Sequence, residues 1–109
     1  MDMRKGRAMD PNEAILAKVE ARGGVYVWEP EVFTVAFMAD VAITDTDVLP
    51  LVELRGVRQV ALNAARLSLP AVAKVAGTFG LQSLVLFNSP YSELELASLR
   101  SIGLEIVLA

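Results

Sequence analysis

Apolar residues recur along the chain with a period of about 24 residues, and within each period their spacing alternates between that of a strand and that of a helix. The apolar pattern of residues 57–62 returns one period later in residues 81–86. It also occurs about one period earlier, in residues 32–37, and in shortened form in residues 104–108. Each segment alternates aliphatic or aromatic side chains with other residues, so the sequence predicts one strand in every period.

Helical signals repeat between these strands. Two apolar columns lie three residues apart, as on one face of a helix, and a residue that can cap a helix precedes each pair. The repeated positions are Val48, Val72 and Leu96, then Leu51, Val75 and Leu99, and the caps Thr44, Ser68 and Ser92. Asp47 and Glu95 follow two of the caps by three residues and complete capping boxes. The sequence therefore predicts a strand and a helix in each repeat, which bury their apolar faces by stacking on the next repeat.

The segment before the repeats, residues 1–31, has a different pattern. Asp10 is a suitable N-cap, Pro11 suits the first helical position, and Glu13 completes a capping box, so a helix is predicted to begin here and to end at a glycine pair. Residues 25–28 and 32–38 are predicted to form two strands that pair as a hairpin.

Residues 43–62, with the sequence ITDTDVLPLVELRGVRQVAL, resemble the bacterial leucine-rich repeat V-T-D-x-x-L-x-x-L-x-x-L-x-x-L-x-x-L-x-L. The resemblance continues over residues 67–86 and 91–108. It implies an α/β fold: a short leucine-rich-repeat-like solenoid with a mainly parallel sheet, helices on one face, and an N-terminal cap of a helix and a strand. The asparagine that many such repeats carry after the strand is replaced by Ala65 and Ser89, so no buried asparagine ladder is expected.

These signals predict one domain over residues 10–109, preceded by a flexible lead-in at residues 1–9. Residues 10–31 form the expected N-terminal cap, and residues 32–109 form about three repeats. No apolar run is long enough to span a membrane, and the basic start lacks the apolar segment of a secretory signal. A cytoplasmic protein is expected.

Composition removes most catalytic chemistry. The chain has no cysteine and no histidine, so thiolate nucleophiles, imidazole bases and histidine metal ligands are excluded. A net charge of −3 provides no basic surface for nucleic acid. Asp40, Asp45, Asp47 and Glu53 form the one carboxylate cluster, and helix capping explains it better than a metal site. The turn at residues 77–80 lacks the lysine of a phosphate-binding loop. We therefore expect no enzyme activity, no cofactor and no metal.

The strand residues that point away from the helices are the candidate binding site for a protein partner. If strand registers follow the repeat, these residues form three rows across the sheet. The rows are Thr34, Gln59, Ser83 and Glu105, then Ala36, Ala61, Val85 and Val107, and finally Met38, Asn63, Phe87 and Ala109. The middle row is entirely apolar, which is unusual for a solvated sheet face. Three explanations stay open: a contact surface for a partner, residues chosen only for strand propensity, and a face covered by the N-terminal segment. The expected function is a non-catalytic protein–protein interaction module, either an adaptor or an inhibitor of the immunity-protein type.

Four strands give a face of roughly 200 Å², whereas a standard interface needs about 800 Å² per partner. A globular partner must therefore also contact loops such as residues 87–91, and otherwise the face takes a peptide. Within that loop Tyr91 occupies the repeat position of Ile43 and Leu67 and is expected in the core.

The last predicted strand, which begins at Leu104 and reaches Ala109, supports an alternative function. It contains neither proline nor lysine to protect its free edge. The alternative is a self-assembling structural protein that forms a homodimer through this edge.

Overall fold

The computed structural model describes residues 11–109 and shows a small α/β domain with a five-stranded sheet. The helices are α1 (Pro11–Ala21), α2 (Asp45–Val48), α3 (Leu69–Ala76) and α4 (Glu93–Arg100), and the strands are β1 (Val25–Val27), β2 (Thr34–Ala36), β3 (Gln59–Asn63), β4 (Ser83–Phe87) and β5 (Glu105–Leu108). Two 3₁₀ turns, Leu49–Glu53 and Ala64–Arg66, follow α2 and β3. The expected lead-in and the expected cap Asp10 lie outside the described residues.

The strands are ordered β1-β2-β3-β4-β5, as they are in the chain. β1 and β2 form the predicted antiparallel hairpin, and β2 to β5 are parallel. The register places Val35, Val60, Leu84 and Ile106 side by side. The shift from each strand to the next therefore follows the spacing of the repeated apolar pattern, so the predicted alignment of the strands is confirmed.

One apolar core lies between the sheet and the helices. Its members include the strand residues Val35, Val60, Leu62, Leu84 and Leu86 and the repeated helix residues Val48, Leu51, Val72, Val75, Leu96 and Leu99. Because strand side chains alternate between faces, the helices of residues 11–109 cover one face of the sheet and leave the other open. Two hydrogen bonds also link α1 to the repeats. The side chain of buried Asn12 donates to the carbonyl of Arg55 and accepts from its amide, both at 2.9 Å.

The helix N-termini form as the repeat predicts. The hydroxyl of Ser68 accepts from the amide of Ala71, and that of Ser92 accepts from the amide of Glu95. Thr44 and Asp47 form the predicted capping box at the start of α2. α2 is nevertheless only four residues long, and the chain continues as a 3₁₀ turn that has Pro50 at its start. Proline lacks the amide hydrogen that an α-helix needs, which explains the change.

The first two strands are shorter than predicted. The sequence pattern predicts a strand over residues 32–38, but β2 covers only Thr34–Ala36. The amide of Val32 donates instead to the carbonyl of Glu29 in the preceding turn. This turn, which apolar spacing does not reveal, removes Val32 from the ladder.

A glycine with positive φ precedes each of the parallel strands that follow a helical segment. Gly56 and Gly80, which occupy the same position in successive repeats, have φ values of 86° and 84° and precede β3 and β4. Glycine adopts this left-handed conformation without the steric cost of a Cβ, and it commonly ends a helix. These glycines are a further repeated column that the apolar pattern alone did not include.

Candidate functional site

The open face of the sheet carries the three predicted rows. Pairing places Ala36 beside Ala61, Ala61 beside Val85, and Val85 beside Val107. The hairpin adds Val25 to this row, because Val25 pairs with Ala36. We call these five residues the apolar row. Val25 was missed because the register of a hairpin depends on its turn, which the repeat does not specify.

The accessible part of the apolar row is concentrated toward its ends. Val25 is 56% exposed and Val107 is 37% exposed, whereas Ala61 in the middle is buried. Ala36 and Ala61 carry only a methyl group, so the apolar row projects least over β2 and β3. Exposed Val27 and Met38 border it, as do half-buried Phe87 and the half-buried polar residues Thr34, Gln59 and Ser83. Exposed Glu105 is the one charged residue of the predicted rows.

Asn63, a predicted contact residue, is buried, and its side chain forms hydrogen bonds within the fold. Its Nδ2 donates to the carbonyl of Val41, and its Oδ1 accepts from Asn88 Nδ2 at 3.1 Å. Asn88 Nδ2 also donates to the carbonyl of Ala39. Two asparagines at other offsets, buried Asn63 and exposed Asn88, therefore link the loops that follow β2, β3 and β4, while Ala65 and Ser89 leave the usual ladder position without asparagine.

Asn88 also has a left-handed backbone, with φ of 54°. Asparagine tolerates this conformation better than most residues with a Cβ. The hydrogen bonds that Asn88 donates to Asn63 and Ala39 therefore hold the loop after β4, part of the predicted binding surface, against the loops after β2 and β3.

Two of the four carboxylates of the predicted cluster, Asp45 and Asp47, take part in the helix caps. Asp45 accepts from both the amide and the hydroxyl of Ser68, at 2.9 and 2.7 Å, and so connects two consecutive helix starts. Asp47 accepts from Arg22 Nε at 2.8 Å and from the amide of Thr44 at 2.8 Å. Residues 11–109 contain no group of three or more acidic side chains placed to hold a metal ion.

These hydrogen bonds lower the pKa of both carboxyl groups. The hydroxyl and the amide of Ser68 lower the pKa of Asp45. The guanidinium of Arg22 and the amide of Thr44 lower the pKa of Asp47. A carboxyl group whose pKa is lower in the folded state contributes stability above its unfolded pKa, near 4, and that stability is lost as the pH falls through the folded value.

We therefore expect the free energy of unfolding to decline below about pH 4. The double variant Asp45→Asn, Asp47→Asn should be less stable than the wild type at pH 7 and should lose less of its stability on acidification. Urea unfolding between pH 7 and pH 2.5 measures both profiles. Parallel profiles for the two proteins would show that these carboxylates do not set the acid response.

Tyr91, predicted in the core, is half-buried and packs against the core, whereas Ile43 and Leu67 at the same repeat position are buried in it. Its hydroxyl donates to the carbonyl of Leu67 at 2.7 Å. Burial, together with the negative charges of Asp45 and Glu95, raises the pKa of Tyr91 to about 12. Tyr91 therefore stays neutral at physiological pH and fastens the start of α4 to that of α3.

A second surface lies at the end of the sheet where β3 and β4 begin. Phe79, in the turn before β4, is 91% exposed. It borders an open cleft of about 520 Å³ whose other lining residues are Val52, Glu53, Leu54, Arg55 and Gly56. The sequence pattern predicts only a turn in this segment.

Comparison with known proteins does not assign the chain to a family: no family model, no curated protein and no solved structure matches it. Within residues 11–109, no helix has both the length and the apolar character that crossing a membrane requires. Residues 11–109 therefore form a small α/β domain with a mostly parallel sheet that the helices cover on one face.

Proposed function

We propose that this protein is a non-catalytic protein–protein interaction module whose open sheet face binds a partner protein. The single observation that carries the proposal is the apolar row, which crosses all five strands on the face that α1 to α4 leave uncovered. Apolar residues on a solvated sheet face are stabilised when a partner removes them from water.

The proposed contact residues are Ala36, Met38, Gln59, Ala61, Asn63, Ser83, Val85, Phe87, Glu105 and Val107, together with Val25. The side chains of Ala61 and Asn63 are buried. Ala61 therefore lies beneath the surface that a partner contacts, and Asn63 holds the neighbouring loops in place. The other residues supply the accessible apolar and polar groups.

The proposal includes a short solenoid of the leucine-rich-repeat type. The strand register, the caps at Thr44, Ser68 and Ser92, and the glycines before β3 and β4 all share the period of the sequence repeat, which supports it. Such arrays hold partners on extended surfaces. A cytoplasmic location belongs to the same proposal.

Two roles are compatible with this module: an adaptor, and an inhibitor of the immunity type that covers a basic toxin. The net charge of −3 favours a basic partner for the second role. Binding that weakens strongly between low and high salt would support the inhibitor, because screening reduces attraction between opposite charges.

The test compares three versions of the chain as affinity baits in lysate from the native host, followed by titration of the captured partner after purification. Val85→Glu places a charge in the middle of the apolar row. Phe79→Glu places the same charge at the exposed turn away from that face and is the matched control. We expect wild type and Phe79→Glu to bind alike, and Val85→Glu to bind at least tenfold more weakly. Equal binding by all three versions would exclude the sheet face.

The second candidate function, self-association, is favoured by a different observation. Val107 and Leu108 of the edge strand β5 are both exposed apolar residues.

A further inference from the structure

β5 has one paired and one free side. The amide of Glu105 donates to Gln82 and that of Ala109 donates to Leu86, so the backbone groups of residues 105, 107 and 109 face β4. Backbone groups alternate in direction along a strand, and therefore the amides and carbonyls of Ile106 and Leu108 point away from the sheet. Among residues 11–109 no strand pairs with them.

The side chains of β5 also indicate that the sheet has room for a neighbouring strand. Leu108 occupies the repeat position of Leu62 and Leu86, as their pairing shows. Leu62 and Leu86 are fully buried, whereas Leu108 is 46% exposed. A further strand beside β5 would remove Leu108 from water, as β4 and β5 do for the two earlier leucines.

The helix layer differs from the strand layer at this end. α3 has Leu69 and Ala76 at the positions where α4, in the next repeat, has Glu93 and Arg100. Ala76 is buried and Leu69 half-buried, whereas Glu93 and Arg100 are exposed and charged. Leu94 of α4 is exposed as well, so it is the charges of Glu93 and Arg100 that disfavour an added repeat with an apolar helix, whereas an added strand does not meet them.

We propose that the missing strand is β5 of a second copy of this chain, paired antiparallel about a two-fold axis at Val107. In this register Ile106 pairs with Leu108 of the partner subunit, so both outward-facing residues of each β5 form hydrogen-bonded pairs. The two Val107 residues then face each other on the open side. Glu105 lies opposite Ala109 of the partner subunit, and the two Glu105 carboxylates stay about 14 Å apart. Shifting the axis to Ile106 would bring these like charges onto neighbouring diagonal positions.

This pairing completes the proposed binding site, and in that respect it rests on the proposed function. A single five-stranded face measures roughly 270 Å², calculated from strand spacing and three outward rows. Two faces joined at β5 form one face of roughly 600 Å². This approaches the area of about 800 Å² that a standard interface requires from each partner. The dimer joins two apolar rows into one, from Val25 to Val25 of the partner subunit.

The first measurement is sedimentation equilibrium of the full chain from about 5 to about 300 µM, because a contact smaller than about 800 Å² per partner forms a reversible dimer. We expect a concentration-dependent dimer for the wild type. Val107→Lys places two like charges on the axis and should give a monomer. Val25→Lys places the same charge in the same row at the opposite edge and should still dimerise. Circular dichroism and thermal unfolding confirm that each variant is folded.

The second measurement uses the absence of cysteine from the chain. Opposed residues in a non-hydrogen-bonded antiparallel pair have Cα atoms about 4.5 Å apart, within the range that a disulfide spans. Val107→Cys should therefore form a disulfide-linked dimer on mild oxidation. Val85→Cys, about 14 Å from its copy in the dimer, should not.

A wild type that is monomeric throughout, or a dimer that Val107→Lys leaves intact, would overturn the proposal. Equal cross-linking of Val107→Cys and Val85→Cys would overturn the register. Because these measurements use the chain alone, they remain valid whether or not the open face binds another protein.

Discussion

Replacing Phe37 with alanine is expected to lower the free energy of unfolding by about 3 to 5 kcal/mol. The Phe37 side chain is fully buried, next to the start of β1 and the apolar face of α1. Removing its ring leaves a cavity between the N-terminal helix and the first parallel strand, and a close-packed core does not fill such a cavity completely.

Phe79→Ala is the matched control, since it removes the same ring from a side chain that is 91% exposed. Its effect should be smaller than about 0.5 kcal/mol. Urea unfolding at a concentration of a few micromolar, followed by circular dichroism, measures both variants. Similar losses of stability would show that Phe37 does not join α1 to the sheet in the way described above.

Gly24→Ala is expected to destabilise the protein by about 1 to 3 kcal/mol, although it adds only one methyl group. A Cβ at Gly24 would lie 2.6 Å from Val19 Cγ1 and 2.7 Å from Phe37 Cε1. These distances are shorter than van der Waals contact, so α1 or the Phe37 ring must move. Glycine is needed here because the backbone passes close to two core side chains.

Gly77→Ala is the control for this substitution. Gly77 has a φ of −84°, and a Cβ there would have no heavy atom closer than 3.5 Å. An alanine that fits the native backbone reduces the entropy of the unfolded chain, so Gly77→Ala should be neutral or slightly stabilising. Thermal unfolding of both variants measures the difference, and equal midpoints would contradict the close approach at Gly24.

The two proposals make different use of the sheet. The open face presents side chains to a partner, and specificity there depends on which residues border the apolar row. The edge of β5 presents backbone groups, which any strand of suitable register can pair with. The two surfaces meet at Val107, which makes the Val107→Lys and Val25→Lys pair informative about both.

Much of the fold could be predicted from the sequence, because each repeat combines several local signals. Apolar spacing, the caps at Thr44, Ser68 and Ser92, and the repeat length all point to the same alternation of strand and helix. These signals depend on neighbouring residues and on stacking of equivalent positions, so the register of β2 to β5 follows from the repeat.

The N-terminal hairpin could not be predicted in the same detail. Val32 belongs to a turn, and Val25 belongs to the apolar row, because of a loop geometry that no repeat specifies. Asn63 and Asn88 illustrate the same difference at the candidate site. Their types suggest polar surface residues, and only the packing of successive loops brings their side chains within hydrogen-bond distance.

The sequence by itself therefore determined the α/β class, the order of the elements, the helix caps and the rows of residues that share a face, since these depend on local spacing and repetition. Only the tertiary structure decided how exposed each row is, which polar groups are used internally, and that Leu108 lacks the cover of Leu62 and Leu86. Exposure and hydrogen bonding depend on atoms from distant parts of the chain, and no local pattern encodes where those atoms lie.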